Sequence, residues 1–428
     1  MVKLKRLKIE KYRNVKPGTE LRFRDSLNVL LGRNGTGKTT LLNLIVQLLS
    51  WDFSRLQAEE ANLEYDLRTS KAELTVRLRT DAMAGRLAGT QLLPGEMLAM
   101  GLAQNSPRYT TVIEIDIAQV GSKPQSLRLE GSTLTLTSEG KPPYTASLDF
   151  PPLGHSSLAR LVISLINIHT SIPAHFEDLG SILLSAADGK LPFLRRFDES
   201  LGYLEQAIEQ GAISAREGIA IPGGSLPFAK NLEKALRANP EMDELAVESQ
   251  DKEQSFMKRL VELLGFHAVQ ARLQRVARSA GPVVQVDFGS TKFHFTRRDG
   301  SIINHSLLSY GQKRLLAFYC YLASYPDCVV ADELVNGMHH EWIEACLEDL
   351  GHRQAFLTSQ NPLLLDYLSF ESAEEVRSSF VLCRTEFNES REQMVWENMT
   401  EEDSQGFFKA YQVAIQHVSE LLRTRGLW

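Results

Sequence analysis

The sequence predicts an α/β fold in which polar side chains follow short buried strands. Three apolar runs have the length and composition of strands inside a sheet: residues 26–31, 328–331 and 355–358. The first run ends in a glycine-rich loop followed by an apolar helix, and the other two end in polar residues. Because the carboxyl ends of parallel strands meet at one edge of a sheet, we expect the chemistry of the chain at that edge.

Composition excludes several classes of protein. The 428 residues are 43% hydrophobic, which is enough for a large buried core, and a net charge of −6 does not suit a surface devoted to nucleic acid. The apolar runs are far shorter than the roughly 20 residues of a membrane-spanning helix. The amino terminus lacks the apolar segment of a signal peptide, and the four cysteines show no CxxC spacing. We therefore expect a soluble, reduced, cytoplasmic protein.

The chain divides into a predicted core and a predicted insertion. Residues 1–50 and 283–428 carry the strands and loops described above and are assigned to the core. The insertion spans residues 51–282. Alternating polar and apolar residues predict strands over 60–150, and helical periodicity predicts helices over 155–280.

Basic residues near the end of the insertion raise the question of nucleic-acid binding. We expect residues 254–278 to be mainly helical, with a basic face. That face holds Lys258, Arg259, Arg272, Arg275 and Arg278. Such a face could contact nucleic-acid phosphates, although a solvated helix face is the simpler interpretation.

The loop after the first buried strand has the pattern of a phosphate-binding loop. Residues 32–39 match GxxxxGK[ST], between an apolar strand and an apolar helix. The glycines let backbone N–H groups approach phosphates, Lys38 would reach the β- and γ-phosphates, and the Thr39 hydroxyl would ligate Mg²⁺. The predicted ATP-binding residues of this loop are Asn34, Gly35, Thr36, Gly37, Lys38, Thr39 and Thr40.

Two carboxylates follow the second buried strand. Asp332 could hold Mg²⁺, directly or through water, and Glu333 could polarise the attacking water. Acidic pairs after apolar strands are common, but behind a phosphate loop this pair predicts hydrolysis of ATP.

A third motif, LSYGQ at residues 308–312, precedes the acidic strand. With the phosphate loop before it and the acidic pair after it, the chain resembles the ABC-class ATPases. The resemblance implies that Ser309, Gly311 and Gln312 contact ATP held by a second copy, so that ATP joins two heads. Taken alone, Ser309 is also a favourable helix N-cap.

Within that class the chain resembles the RecF-like and SMC-like branch, including standalone bacterial AAA-type ATPases similar to the ATPase subunits of anti-phage systems. The opening "LKIEKYRNV" resembles the first strand of that branch, which implies that Arg13 and Asn14 lie near the nucleotide. The run "ADELVNGMHH" resembles its "DE-x-x-NG-x-H" run, which implies that Asn336 and Gly337 face the second head. "FLTSQNPLLLDYL" resembles its switch segment.

The switch segment departs from the family at one catalytic position. The residue that is usually His is Gln360 here. A Gln side chain can hydrogen-bond the γ-phosphate or the water, but it cannot carry a proton or a positive charge. The substitution predicts slow hydrolysis, with ATP serving mainly as a clamp.

The resemblance implies an α/β, ABC-type ATPase head with a mixed α+β insertion, using ATP and Mg²⁺ and acting as an ATP-gated dimer. We expect it to regulate a separately encoded effector in a bacterial anti-phage system. Partners would be further copies of the chain, in a head-to-head dimer or a higher oligomer, and that effector, with nucleic acid as a further candidate and no membrane.

Other functions stay open or are less expected. The alternative is a RecF-like DNA-binding ATPase in repair or maintenance. A nonhydrolytic scaffold stays open because of Gln360. A fused nuclease is less expected, since only about 66 residues follow Pro362 and they hold no DxD cluster. A transporter subunit would be shorter.

Overall fold

The computed structural model describes much of the chain, with gaps mainly in the predicted insertion. The described residues are 2–53, 56, 59–82, 109–119, 123–147, 173, 176, 179, 182–183, 194–198, 213–216, 219–222, 228–239, 241–251, 254–279, 285–388, 391–413 and 417–426.

The first third of the described chain forms strands, interrupted by one helix, α1, that follows the glycine-rich loop. The elements are β1 (Lys3–Tyr12), β2 (Thr19–Arg22), β3 (Leu27–Leu31), α1 (Lys38–Ser50), β4 (Ala61–Arg68), β5 (Glu73–Ala82), β6 (Tyr109–Ala118), β7 (Gln125–Glu130), β8 (Thr133–Ser138) and β9 (Tyr144–Ser147). The predicted strands over 60–150 are confirmed in the described part of that span.

All these strands except β3 belong to one antiparallel sheet with the order β2-β1-β4-β5-β6-β7-β8-β9. Apolar side chains alternate along β4, so that one face of the sheet is buried. The sheet joins strands from both sides of residue 50, where the sequence predicts the boundary between core and insertion.

The middle of the described chain forms a second sheet. Its elements are β10 (Ile213–Arg216), β11 (Ile219–Pro222), α2 (Ala229–Ala238), β12 (Glu244–Glu248), α3 (Ser255–Leu264), β13 (Ala268–Ser279), β14 (Gln285–Thr296) and β15 (Ile302–Asn304). The strand order is β11-β10-β14-β13-β12, with β15 paired to β14. Of the helices expected over 155–280, α2 and α3 are confirmed, whereas β10, β11 and β12 are strands where helix was expected, because pairing within the sheet satisfies their backbone. Residues 155–212 fall almost entirely outside the described part of the chain.

The predicted helix over residues 254–278 is wrong beyond Leu264. Helix α3 ends at Gly265, which has a φ of +71° and forms a left-handed C-cap. Beyond it, Val269, Ala271 and Leu273 are buried and alternate with polar residues. That period of two is typical of a strand and decides the structure of this segment.

The expected basic helix face is therefore absent from this segment of the described chain. Three of its arginines lie on β13 and pair with carboxylates that precede or belong to β12. The pairs are Arg272–Glu244, Arg275–Asp243 and Arg278–Glu241. Arg259 on α3 pairs with Asp349 at 2.9 Å. These carboxylates offset the positive charge that the sequence offers to a phosphate backbone.

The last third of the described chain alternates helices and strands. The elements are α4 (Tyr310–Ser324), β16 (Cys328–Ala331), α5 (His340–Glu348), β17 (Gln354–Thr358), α6 (Pro362–Asp366), α7 (Ala373–Ser379), β18 (Phe380–Asn388), β19 (Arg391–Asn398), α8 (Glu401–Gln412) and α9 (Val418–Thr424). Among the described residues, no helix combines the length and the apolar character needed to span a membrane.

A five-stranded sheet of order β16-β17-β3-β18-β19 lies at the centre of this region. The first four strands are parallel, and β19 is antiparallel to β18. Strands β3, β16 and β17 therefore end at the same edge. The expectation that the polar residues after these strands meet there is confirmed.

Candidate nucleotide-binding site

A cavity of about 350 Å³ lies at the carboxyl edge of the five-stranded sheet. It is lined by Asn34, Gly35, Gly37, Lys38, Thr39, Thr40, Asp332, Glu333, Gln360 and Met394. The cavity thus unites the predicted phosphate loop, the acidic pair and the switch glutamine. Asp332 lies 293 residues after Thr39, and Gln360 lies 326 residues after Asn34, so the parallel strands bring together groups that are remote in sequence.

The phosphate loop leads directly into helix α1. Within the described chain no side chain caps the first turn of α1, which starts after Gly37. Its N–H groups and the positive end of the helix dipole can therefore bind an anion. The Lys38 ammonium donates to the Gly32 carbonyl at 2.7 Å and to the Arg33 carbonyl at 3.0 Å, so that the loop's own carbonyls hold it at the cavity.

The strands β18 and β19 support the loop from one side. The Trp396 indole donates to the Thr36 carbonyl at 3.1 Å. Gly37 has a φ of +84°, and a Cβ at this position would lie 2.1 Å from the Met394 sulfur. Only glycine fits there. Burial raises the pKa of the neighbouring Cys383 thiol to about 12, so this thiol stays neutral at physiological pH.

Asp332 is held by three donors from different parts of the chain. Its Oδ2 accepts from the Thr39 hydroxyl at 2.5 Å, and its Oδ1 accepts from the Thr358 hydroxyl. The third donor is Arg196, whose Nη1 lies 3.5 Å from Oδ2. The Thr39 hydroxyl and the Asp332 carboxylate are adjacent oxygen donors of the kind that Mg²⁺ prefers, so the residues present fit this ion.

Glu333 is fixed through its backbone. It has a φ of +52°, a conformation that costs a non-glycine residue on the order of 1–3 kcal/mol. The surrounding structure stabilises it, since its N–H donates to the Thr358 hydroxyl at 3.0 Å and its carbonyl accepts from the buried Arg314. Arg314 also donates to the Leu334 carbonyl at 2.9 Å. The Glu333 carboxylate is thereby directed to the cavity.

Gln360 connects the acidic pair to the phosphate loop. Its backbone N–H donates to Glu333 Oε2 at 3.2 Å, and its side-chain Nε2 donates to Asn34 Oδ1 at 2.9 Å. Gln360 therefore bridges the phosphate loop and Glu333 at the wall of the cavity.

The LSYGQ motif, residues 308–312 and from here on the signature segment, lies outside the cavity of its own chain. Ser309 caps α4, and the Gln312 side chain accepts from the Ser309 N–H at 2.9 Å, which completes a capping box. A Cβ on Gly311 would lie 2.5 Å from the Gly337 carbonyl, so the signature packs tightly against the segment after Glu333. Contact of Ser309, Gly311 and Gln312 with nucleotide stays a prediction.

Arg13 and Asn14 reach the site only indirectly. The Arg13 guanidinium pairs with Glu59 through two hydrogen bonds of 2.9 and 3.1 Å. The Asn14 carbonyl accepts from the N–H of Met394, which does line the cavity. Neither predicted residue lines the cavity itself, and their contact with nucleotide stays a prediction.

Arg196 is a site residue that the sequence does not reveal. Its Nη2 pairs with Asp198 at 2.7 Å while its Nη1 reaches Asp332. Between them, Phe197 packs against the rings of Phe318 and Tyr321 on α4, with centroid distances of 5.8 and 5.6 Å. Residues 196–198, which belong to the predicted insertion, are thereby attached beside the predicted Mg²⁺ ligands. No spacing pattern links Arg196 to a residue 136 positions away.

Comparison with protein families gives one match. A model of the family described as "AAA domain, putative AbiEii toxin, Type IV TA system" matches residues 27–366. This span contains the phosphate loop, the insertion, the signature segment, the acidic pair and Gln360. A search of curated proteins gave no match.

Solved structures give loose matches at low identity. The SMC head domain from Thermotoga maritima is 13% identical, with a TM-score of 0.36 over 92% of this chain and 98% of that chain. An Smc head bound to the C-winged helix domain of ScpA is 10% identical, with a TM-score of 0.39 over the same shares. An Smc head with an extended coiled coil, derived from Pyrococcus furiosus, is 10% identical, with a TM-score of 0.35 over 96% of this chain and 100% of that chain.

Proposed function

Because the chain belongs to the AbiEii-type AAA-domain family, we propose that it binds ATP with Mg²⁺ in the cavity and hydrolyses it to ADP and phosphate. The family match and the strand order confirm the predicted α/β ATPase fold, which is built on several sheets. The ABC-type head with a mixed α+β insertion is part of the proposal. The observation that carries the proposal is the meeting of the phosphate loop, Asp332, Glu333 and Gln360 around one cavity.

In the proposed reaction, Lys38 and the first N–H groups of α1 bind the β- and γ-phosphates. Thr39 and Asp332 hold Mg²⁺, which when bound offsets the negative charge of the phosphates. Glu333 accepts the proton of the attacking water, and the Gln360 amide orients that water or the γ-phosphate. The contacts of Glu333 with Thr358 and Arg314 keep the base in place before ATP arrives.

We further propose that ATP joins two copies of the chain. Helix α4 begins with the signature segment, whose Tyr310 is 61% exposed, and this helix does not line the cavity of its own chain. The N-terminus of α4 can cover a bound γ-phosphate only if a second copy presents it. Ser309 and Gly311 would then supply a hydroxyl and an N–H group to ATP across the interface.

The mass of the protein in solution tests the ATP-gated dimer. We expect light scattering to report the mass of one chain without nucleotide and twice that mass with MgATP. Phosphate release, measured in the same samples, should show turnover. A mass that is the same with and without MgATP would contradict gating by ATP and would indicate heads that are joined by other contacts.

Gln360 is proposed to slow hydrolysis. Substitution Gln360→His adds a group that can carry charge or a proton near neutral pH, and we expect turnover to rise about tenfold or more. Substitution Gln360→Ala removes the hydrogen bond to Asn34 and should lower the turnover rate. Phosphate release measures both, and a His variant no faster than the wild type would show that Gln360 does not limit the rate.

For the biological role, we propose regulation of a separately encoded effector in a bacterial defence system. The family description, which names a type IV toxin–antitoxin system, supports a role in defence. The RecF-like alternative has less support, because the described arginines of β13 are paired with carboxylates. Expression of the chain with its genomic neighbours during phage challenge tests the role. Protection should need both a neighbouring gene and an intact Lys38.

A further inference from the structure

The aromatic side chain of Phe387 is exposed at the far end of β18. It is 79% exposed, more than any other large apolar side chain in the described part of the chain. Single exposed apolar residues are common on protein surfaces, so exposure alone carries no function. What points to a function is the position of Phe387 relative to the phosphate loop.

The strand β18 continues beyond the edge of the central sheet. It pairs with β3 only as far as Leu382, which lies opposite Leu31, the last residue before the phosphate loop. From Cys383 onward it pairs with β19 alone. The two strands therefore extend past the sheet edge beside the loop as an antiparallel pair.

The strand register places Phe387 on the face that contacts the loop. Directly opposed residues of antiparallel strands share a face, and the opposed pairs here are Cys383–Trp396, Thr385–Met394 and Phe387–Glu392. Trp396 and Met394 contact Thr36 and Gly37 of the loop. Phe387 follows two residues beyond Thr385, about 7 Å farther along the same face.

A nucleotide with its phosphates in the loop must extend its ribose and base out of the cavity. Met394 lines that cavity, and its sulfur lies beside Gly37, the last residue of the phosphate loop before α1. Beyond Met394, the next side chains on this face are those of Phe387 and Glu392, which lie opposite each other. The Asn14 amide donates to the backbone carbonyl of Glu392, the residue opposite Phe387, at 3.4 Å.

We propose that Phe387 is the platform on which the base of the bound nucleoside triphosphate stacks. The inference rests on the proposed function, since it requires the triphosphate to occupy the phosphate loop. Every base has an aromatic face, and purines offer the larger one, so the ring would favour purine nucleotides over pyrimidine nucleotides and over inorganic polyphosphate. Phe387 would thus be a binding residue that selects the substrate.

The test compares ATP with inorganic tripolyphosphate, which carries the phosphates without a base. Loss of base stacking typically weakens binding roughly 5- to 100-fold, so Phe387→Ala should raise the Kd for MgATP by that factor. The Kd for tripolyphosphate should not change. Val413→Ala is the matched control, because Val413 is also an exposed apolar side chain, at 64%, and lies after α8, away from the loop.

A second variant reports on the contact directly. Phe387→Trp should keep the wild-type affinity. Because Trp396 already lies at the loop, the wild type is the reference: ATP should change the fluorescence of Phe387→Trp more than that of the wild type, and tripolyphosphate should change both equally. An unchanged Kd for ATP in Phe387→Ala would overturn the inference, and so would an equal loss of affinity for both ligands. Failure of the wild type to bind either ligand would instead remove the proposed function, and the inference with it.

Discussion

Substitution Glu333→Gln is expected to lower the rate of ATP hydrolysis about 10²- to 10⁴-fold, the usual contribution of a general base. The amide cannot accept the proton of the attacking water. It matches the carboxylate in shape, so the cavity should still bind ATP. Phosphate release measures the rate, and the Kd for MgATP should stay within about threefold of the wild-type value.

The contacts around Glu333 indicate that this variant will fold. Thr358 and Arg314 hold the backbone of the residue and not its carboxylate, so the strained conformation is kept when the side chain changes. In the proposed dimer, ATP that is bound but not hydrolysed should keep the doubled mass. Glu344→Gln, an exposed glutamate on α5, is the matched control. A Glu333→Gln variant that hydrolyses ATP at the wild-type rate would show that another group activates the water.

The strands and loops of the central sheet could be predicted from the sequence because their signals are local. The run 26–31 is followed at once by the glycine loop, and its helix begins at Lys38 as expected. Asp332 and Gln360 follow their strands directly, and parallel pairing alone then brings them to one edge. Local pattern and tertiary structure agree at these positions.

The insertion was harder to predict because its patterns are mixed. Residues 268–279 hold arginine and glutamine, which favour helices, between small and branched apolar residues. Intrinsic preference therefore suggested a helix, whereas the burial of Val269, Ala271 and Leu273 against neighbouring strands determines a strand. Tertiary context overrides a weak preference here, as it commonly does for strands.

The supporting residues of the site could not be predicted because their contacts are remote in sequence. Met394 and Trp396 lie about 360 residues from the loop they support, and Arg196 lies 136 residues from Asp332. No spacing rule connects such residues. One usable signal was the alternation of Met394 and Trp396 with polar neighbours, which predicts a strand with one buried face but not what covers it.

Substitution Asp332→Asn is expected to have the second large effect. The asparagine side chain lacks the negative charge that would hold Mg²⁺. Its NH₂ group would also face at least one of the three groups that donate to the Asp332 carboxylate, which are the Thr39 hydroxyl, the Thr358 hydroxyl and the Arg196 guanidinium. We expect the Mg²⁺ concentration for half-maximal hydrolysis to rise about tenfold or more. Because Asp332 is only 16% exposed, the free energy of unfolding should fall by about 1–3 kcal/mol. A magnesium titration of phosphate release and denaturant unfolding measure the two effects.

Asp198→Asn separates the two roles of the Asp332 carboxylate. Asp198 also pairs with Arg196, so its substitution weakens the attachment of the predicted insertion without touching Thr39 or Asp332. If Asp332 acts as the ligand of Mg²⁺, only Asp332→Asn should shift the magnesium dependence, while both variants should lower stability. An equal shift in both would mean that Arg196 sets the magnesium dependence through its position. The insertion would then act directly on the metal site, and the assignment of Asp332 as a ligand would fail.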